Sequence, residues 1–353
     1  MPIIDAKALT KAVATLVKVL SPRNRDILSR RFGLKSGAKE TLESIGKGYG
    51  ITRERVRQIE EFSLGQLAKS VGENRELGVL IGKVRDAIAR EGGIVRERQL
   101  FRLMTGSDKD NVANASLVFA LTLDKELVRS NDSDRYHAFW ALDQARKAAF
   151  AEMVVSITGS FRTAGSTQET GKAVRTLLDR GIEGFDGSPL AERHLNTVLA
   201  VCKDVGTNIY GQVGLSSWAE IRPKGVRDKA YLVLKKASKP QHFTDIAKLI
   251  NTAKFDAKRV NVQTVHNELI KDERFVLVGR GLYALAEWGY RSGTVKDVLT
   301  DILKNHGKPL ARAQLVSKVG EVRMVKENTI LLNLQDSSTF TRDKDGNYTL
   351  KRR

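Results

Sequence analysis

A single cysteine, Cys202, serves the whole 353-residue chain, which excludes an intrachain disulfide and any cysteine-built zinc site. It lies in the apolar run from Val198 to Val205, where a buried structural thiol is expected rather than a nucleophile. Only 6 prolines are present, and no Ser/Pro or Gly/Ser run reaches linker length, so compact modules in close series are expected. No stretch approaches the roughly 18 apolar residues of a membrane span, and the opening MPIIDAKALTKAVATLVKVL lacks the apolar core of a signal peptide. A cytoplasmic protein with no membrane contact is the expectation. The five histidines, at 137, 194, 242, 266 and 306, form no pair at helical ligand spacing, and no metal or other cofactor is expected. No nucleophile–base pair and no carboxylate pair is legible either, so the chain reads as a non-enzyme without a small-molecule substrate.

Positive charge is abundant. Sixty Lys and Arg against 41 Asp and Glu leave a net charge of +19, and such a surface attracts polyanions by releasing their condensed counterions. Nucleic acid is therefore the first partner to consider, although charge alone does not choose DNA over RNA.

The first seventy residues carry a succession of helix signals. Ser21-Pro22 combines a capping hydroxyl with a proline at the first helical position, and predicts a helix to Phe32 that stops at Gly33. Thr41 can cap a short helix containing Leu42 and Ile45, Gly48-Tyr49-Gly50 supplies a tight turn, and Thr52 can cap another helix. This is helix-turn-helix spacing. On the last helix Arg53, Glu54, Arg57, Gln58 and Glu61 share one face, while Val56, Ile59 and Ser63 lie opposite. Arg and Gln match guanine and adenine edges in the major groove, yet the same pattern suits an ordinary solvated helix. GKGYG (46–50) lacks the Gly-Lys-Ser/Thr ending of a phosphate loop and reads as a turn.

The literal strings SPRNRDILSRRFGL (21–34) and TLESIGKGYGITRERVRQIE (41–60) resemble region 4 of the sigma-70 family, which reads the upstream promoter hexamer. The resemblance implies that Arg53, Glu54, Arg57 and Gln58 reach base edges, with Thr52 and Arg55 beside them at the double-stranded DNA. In that family the domain also docks on the flap of the RNA polymerase beta subunit through its first helices. Here that implication falls on Arg30, Arg31 and Phe32, whereas Leu28 and Leu34 are expected in the core. About twenty residues precede the match, with no promoter-melting segment among them, so promoter melting by this chain alone is not expected.

The remainder repeats itself. NVQTVHNELIKDERFVLVGRGLYAL (261–285) and NTILLNLQDSSTFTRDKDGNYTL (328–350) each read as a helix followed by two short strands; Thr264 to Tyr283 and Thr329 to Tyr348 are both 19 residues apart. LNTVLAVCKDVGTNIYGQVGLSSWAEI (195–221) keeps 17 residues from Thr197 to Gly214, as between Thr264 and Gly281, and RYHAFWAL (135–142) ends a fourth, weaker copy. Helices closed by a hairpin are the winged-helix plan. The copy at 239–290 resembles the HARE-HTH winged helix through Phe243, a helix start at Thr264 and the Gly281-Leu282-Tyr283 wing. For that module Lys258, Arg259 and Arg280, with Lys248, Lys254 and His266, are the DNA-contact candidates, against a protein-binding or spacer role.

The expected architecture is mainly α with small β-hairpin wings: a helix-turn-helix at 1–72, winged helices at 73–143 and 144–222, the HARE-HTH-like module at 223–290 and a last winged helix at 291–353. The expected function is a sequence-specific, nucleoid-associated transcription regulator acting in initiation with RNA polymerase. The alternatives are a polymerase accessory subunit and a nucleoid or modified-DNA binding protein.

Overall fold

A computed structural model describes residues 2–71, 74–290 and 293–351, and the expected boundaries at 72/73 and 290/291 fall outside the described residues. The chain is mainly helical with small antiparallel sheets and divides into two compact units, Met1–Ser217 and Trp218–Arg353. Among the described residues no helix is long and apolar enough to cross a membrane, and no three His, Cys, Asp or Glu gather as a metal site.

The first unit opens with α1 (Ala6–Leu16), α2 (Pro22–Phe32), α3 (Leu42–Tyr49) and α4 (Arg53–Val71). Caps fix their starts. The Ser21 hydroxyl accepts from the Asn24 N–H at 3.3 Å, Thr41 from Ser44 at 3.1 Å and Thr52 from Arg55 at 3.1 Å, each satisfying a backbone donor that the helix leaves free.

There follow α5 (Arg75–Arg90), β1 (Ile94–Arg96), α6 (Glu97–Thr105), α7 (Val112–Thr122), β2 (Val128–Ser130) and β3 (Phe139–Ala141), with sheet order β1-β3-β2. The same succession returns in α8 (Gln144–Ala164), β4 (Gln168–Glu169), α9 (Thr170–Asp179), α10 (Glu192–Val201), β5 (Val205–Thr207) and β6 (Gln212–Leu215), with order β4-β6-β5.

One hydrophobic cluster runs from Ile4, Leu9 and Val13 through Leu28, Phe32 and Leu67 to Leu77, Ile88, Phe119 and Trp140. It joins the opening helices to the sheet β1-β3-β2. The reason is α7, in which every residue from Asn114 to Leu121 is buried: α1 and α2 pack on it, and α5 and α6 close it in. Phe32 meets Phe119 edge-on at 5.0 Å. A smaller cluster of Ile27, Ile45 and Val56 holds α2, α3 and α4 together.

The second unit contains the order twice more. It runs α11 (Val226–Ala237), β7 (Gln241–His242), α12 (Phe243–Ala253), α13 (Val262–Lys271), β8 (Phe275–Gly279) and β9 (Leu282–Leu285), with order β7-β9-β8. Then come α14 (Val295–His306), α15 (Arg312–Val322), α16 (Glu327–Leu334), β10 (Phe340–Arg342) and β11 (Tyr348–Leu350). In this last copy the first strand shrinks to one bridge, Leu310 to Tyr348. Asn261, not Thr264, caps α13: its side chain accepts from the Gln263 N–H at 2.8 Å, and Thr264 stands in the first turn. Phe275 and Tyr283 are core residues, with Phe243 and Trp288 packed against them.

Candidate nucleic-acid interface

The surface that best fits a polyanionic partner is the N-terminal half of α4. Val56 is fully buried and pins this helix to Ile27 of α2 and Ile45 of α3, so the side chains on its other face stand in solvent. Those are Thr52, Arg53, Glu54, Arg55, Arg57 and Gln58, all exposed. Gly46 sets how closely α3 approaches the α4 entry, since a Cβ there would lie 2.7 Å from the Ile51 carbonyl oxygen. Gly50 makes the expected turn, closing α3 in a left-handed conformation at φ +61°, while the tight contact is at Gly46.

The exposed face is pre-paired. Arg57 donates to both carboxylate oxygens of Glu54 at 2.7 to 3.1 Å and also reaches Glu61, while Arg55 donates to the Gln58 Oε1 at 3.1 Å. The hydrogen bonds it donates to Glu54, then the charges of Glu54 and Glu61, raise the Arg57 guanidinium above its ordinary value; the same bonds lower Glu54. Exposed pairs of this kind are weak and screened by salt, so a base edge can compete for Arg57. Arg53 has no hydrogen-bond or ion-pair partner among the described residues and is free for phosphate or base. The glutamates thus hold the arginine extended without sealing it off.

Residues 16–69 match the family model described as sigma-70, region 4. This stretch is a sigma-70 region 4 domain. Region 4 is a DNA-binding, non-catalytic domain, and the α3–α4 pair is its helix-turn-helix. The match extends to named sigma factors over the same stretch. The RNA polymerase sigma factor SigA of Microcystis aeruginosa is 42% identical over 64 residues, 18% of this chain and 15% of the relative. Sigma factor SigA1 of Synechococcus elongatus is 50% identical over 52 residues, 15% of this chain and 13% of the relative. The principal sigma factor HrdC of Streptomyces coelicolor is 42% identical over 74 residues, 21% of each chain. The chain therefore spans less than a quarter of the length of these relatives.

The side chains expected at a polymerase contact divide. Phe32 is buried against Phe119, so it is corrected to a core residue, with only about a tenth of its surface left uncovered. Arg30 forks onto Glu40 at 2.7 and 3.0 Å, and Arg31 bonds Glu60 and the Glu40 carbonyl, both at 3.1 Å; the two are half-exposed.

In the second unit, Lys258 and Arg259 stand exposed on the loop between α12 and α13, not on a helix, and Arg280 is exposed at the β8–β9 turn. Lys254 ends α12 in a left-handed conformation, Lys248 pairs with Asp245 at 2.9 Å, and His266 stacks on Phe243 with centroids 4.4 Å apart. The outward face of α13 instead carries Gln263, Thr264 and Asn267, with Gln263 donating to Asn267 at 3.1 Å. These amides carry no charge and so fall outside a basic-patch pattern. Their spacing of four was the available signal.

Proposed function

We propose that the chain binds double-stranded DNA sequence-specifically through α4 and acts as a sigma-factor-like regulator in transcription initiation, with RNA polymerase as its protein partner. The exposed Arg53, Glu54, Arg55, Arg57 and Gln58, rigidly backed by Val56, carry this reading. Arg53, Glu54, Arg57 and Gln58 would take base edges in a promoter-like site, and Arg55, with Thr52 beside it, the flanking backbone. A polymerase contact by way of the beta flap would fall to Arg30 and Arg31, since Leu28 and Phe32 are occupied in the core.

The four repeated units are read as winged helices, the third of HARE-HTH type. The order helix, strand, helix, helix, strand, strand supports this, as does the pairing of the first strand with the last. In the first copy the third helix, α7, is walled in and serves as packing. The third copy is the one assigned to a second stretch of DNA, through α13, Lys258, Arg259 and Arg280. A DNA-bound role of this extent would make the protein nucleoid-associated.

Fluorescence anisotropy with labelled duplexes tests the reading. Replacing Arg57 or Gln58 with Ala should cost about 1–3 kcal/mol on the preferred duplex and little on unrelated ones. Equal losses on every duplex would reduce α4 to a non-specific contact.

A further inference from the structure

The first unit holds a cavity of about 610 Å³ between the region 4 domain and the sheet β1-β3-β2. Arg31, Lys39 and Glu60 line one side, Arg129 and Asn131 the other, and Phe32 lies at its base. We propose that this cavity binds a small phosphorylated ligand of the nucleotide class.

The charges in the cavity are arranged for an incoming anion. Glu60 accepts from the Arg31 Nε at 3.1 Å, and the nearly buried Glu97 accepts from Arg129 at 2.5 and 2.8 Å. Both arginines are thereby held in place. Lys39 has neither hydrogen bond nor ion pair among the described residues. Solvent still reaches it, yet surrounding protein atoms and then the Arg129 charge push its ammonium below the ordinary lysine value. A cation facing two other cations, with Glu60 and Glu97 engaged by arginines of the cavity and Asp110 by Arg98 at 3.4 Å, is relieved by a bound anion. The Arg31 Nη2 also makes no hydrogen bond among the described residues, leaving a second donor in the cavity with Lys39.

Size selects within the anions. Inorganic phosphate would leave most of the cavity empty, whereas a nucleotide fits the range of roughly 300–1,000 Å³ typical of small-molecule sites. The few uncovered atoms of Phe32, Val118 and Leu127 give the cavity a small apolar floor for the base. A duplex is too wide to enter, so its phosphates would meet only the rim. The ligand would bridge α2 and α4 to the sheet, and Glu60 lies on α4 just beyond Gln58. Any effect of the ligand on promoter choice rests on the DNA reading of α4; the binding itself does not.

Isothermal titration of the full chain with ADP, GDP and pyrophosphate, in the absence of DNA, tests this. Saturable one-to-one nucleotide binding with Kd below about 1 mM is expected. It should weaken at least about tenfold in Lys39→Ala and be retained in Lys39→Arg. Lys39 is an exposed loop residue, so an unchanged circular-dichroism melt verifies that both variants fold. Absence of nucleotide binding, or binding indifferent to Lys39→Ala, would overturn the proposal. So would pyrophosphate binding as tightly as either nucleotide, or displacement of bound nucleotide by duplex in proportion to duplex affinity. Nucleotide binding by a chain that reads no DNA sequence would overturn only the function of α4.

Discussion

Replacing Phe32 with Ala would separate a shared core from a surface contact. The ring is 9% exposed and packs edge-on to Phe119 at 5.0 Å, inside the cluster that also contains Trp140. Truncating a buried phenylalanine costs about 3–5 kcal/mol, through lost burial and the cavity left behind. Against a domain stability of about 5–15 kcal/mol this is a large fraction. Trp140 supplies the readout, because it is fully buried in the same cluster, more than one hundred residues along the chain. Urea unfolding followed by Trp140 emission, with Trp218 and Trp288 replaced by Phe, should show a midpoint lowered by about 1.5–2.5 M for a slope of about 2 kcal/mol/M. A Trp140 transition that stays put while the region 4 helices melt separately would refute the shared core. A total loss below about 1 kcal/mol would return Phe32 to the surface.

Other perturbations follow from single contacts. Thr52→Ala removes the α4 cap and should cost about 1 kcal/mol, seen as faster amide exchange at Arg55. Gly281→Ala should destabilise the second unit by more than about 1 kcal/mol, since residue 281 has φ +70° and a Cβ there would lie 2.4 Å from the His242 Nε2. A melt unchanged within error would contradict that geometry. Asp186 gives a pH signature. Burial opposes its charge, but the Ser188 hydroxyl and N–H and the His194 ring outweigh burial and hold the carboxyl at about 2. The ordinary value is near 3.8, so the stabilisation is present above about pH 4 and is lost as pH falls from there to about 2. Asp186→Asn should therefore cost about 2 kcal/mol at neutral pH and flatten the acid limb of the stability curve of the first unit.

The region 4 helices were legible because their signals are local. Ser21, Thr41 and Thr52 cap where the sequence places them, and the α4 face divides at Val56 as the 100° periodicity requires. The repeat was half legible. Its helices and hairpins could be aligned by Thr-to-Tyr spacing, but the first strand of each copy is only one to three residues long and carries no period. What the sequence hid is long-range. The run Ala115 to Leu121 looks like any buried helix, and only the fold shows that α1 and α2 are what bury it. Phe32 sits on a helix end that looked like surface for that reason. The pairing of Arg57 with Glu54 and Glu61 was readable in the i−3 and i+4 spacing, though its purpose appears only when Val56 fixes which way the helix faces.

The central claim is that α4 reads base sequence. Binding-site selection from a randomised duplex pool, run in parallel for the intact protein and for Gln58→Ala and Arg57→Ala, tests it most directly. The account predicts one enriched motif for the intact protein, with information lost at one or two defined positions in each variant. Tight binding with no enriched motif, or an identical motif from all three proteins, would contradict it.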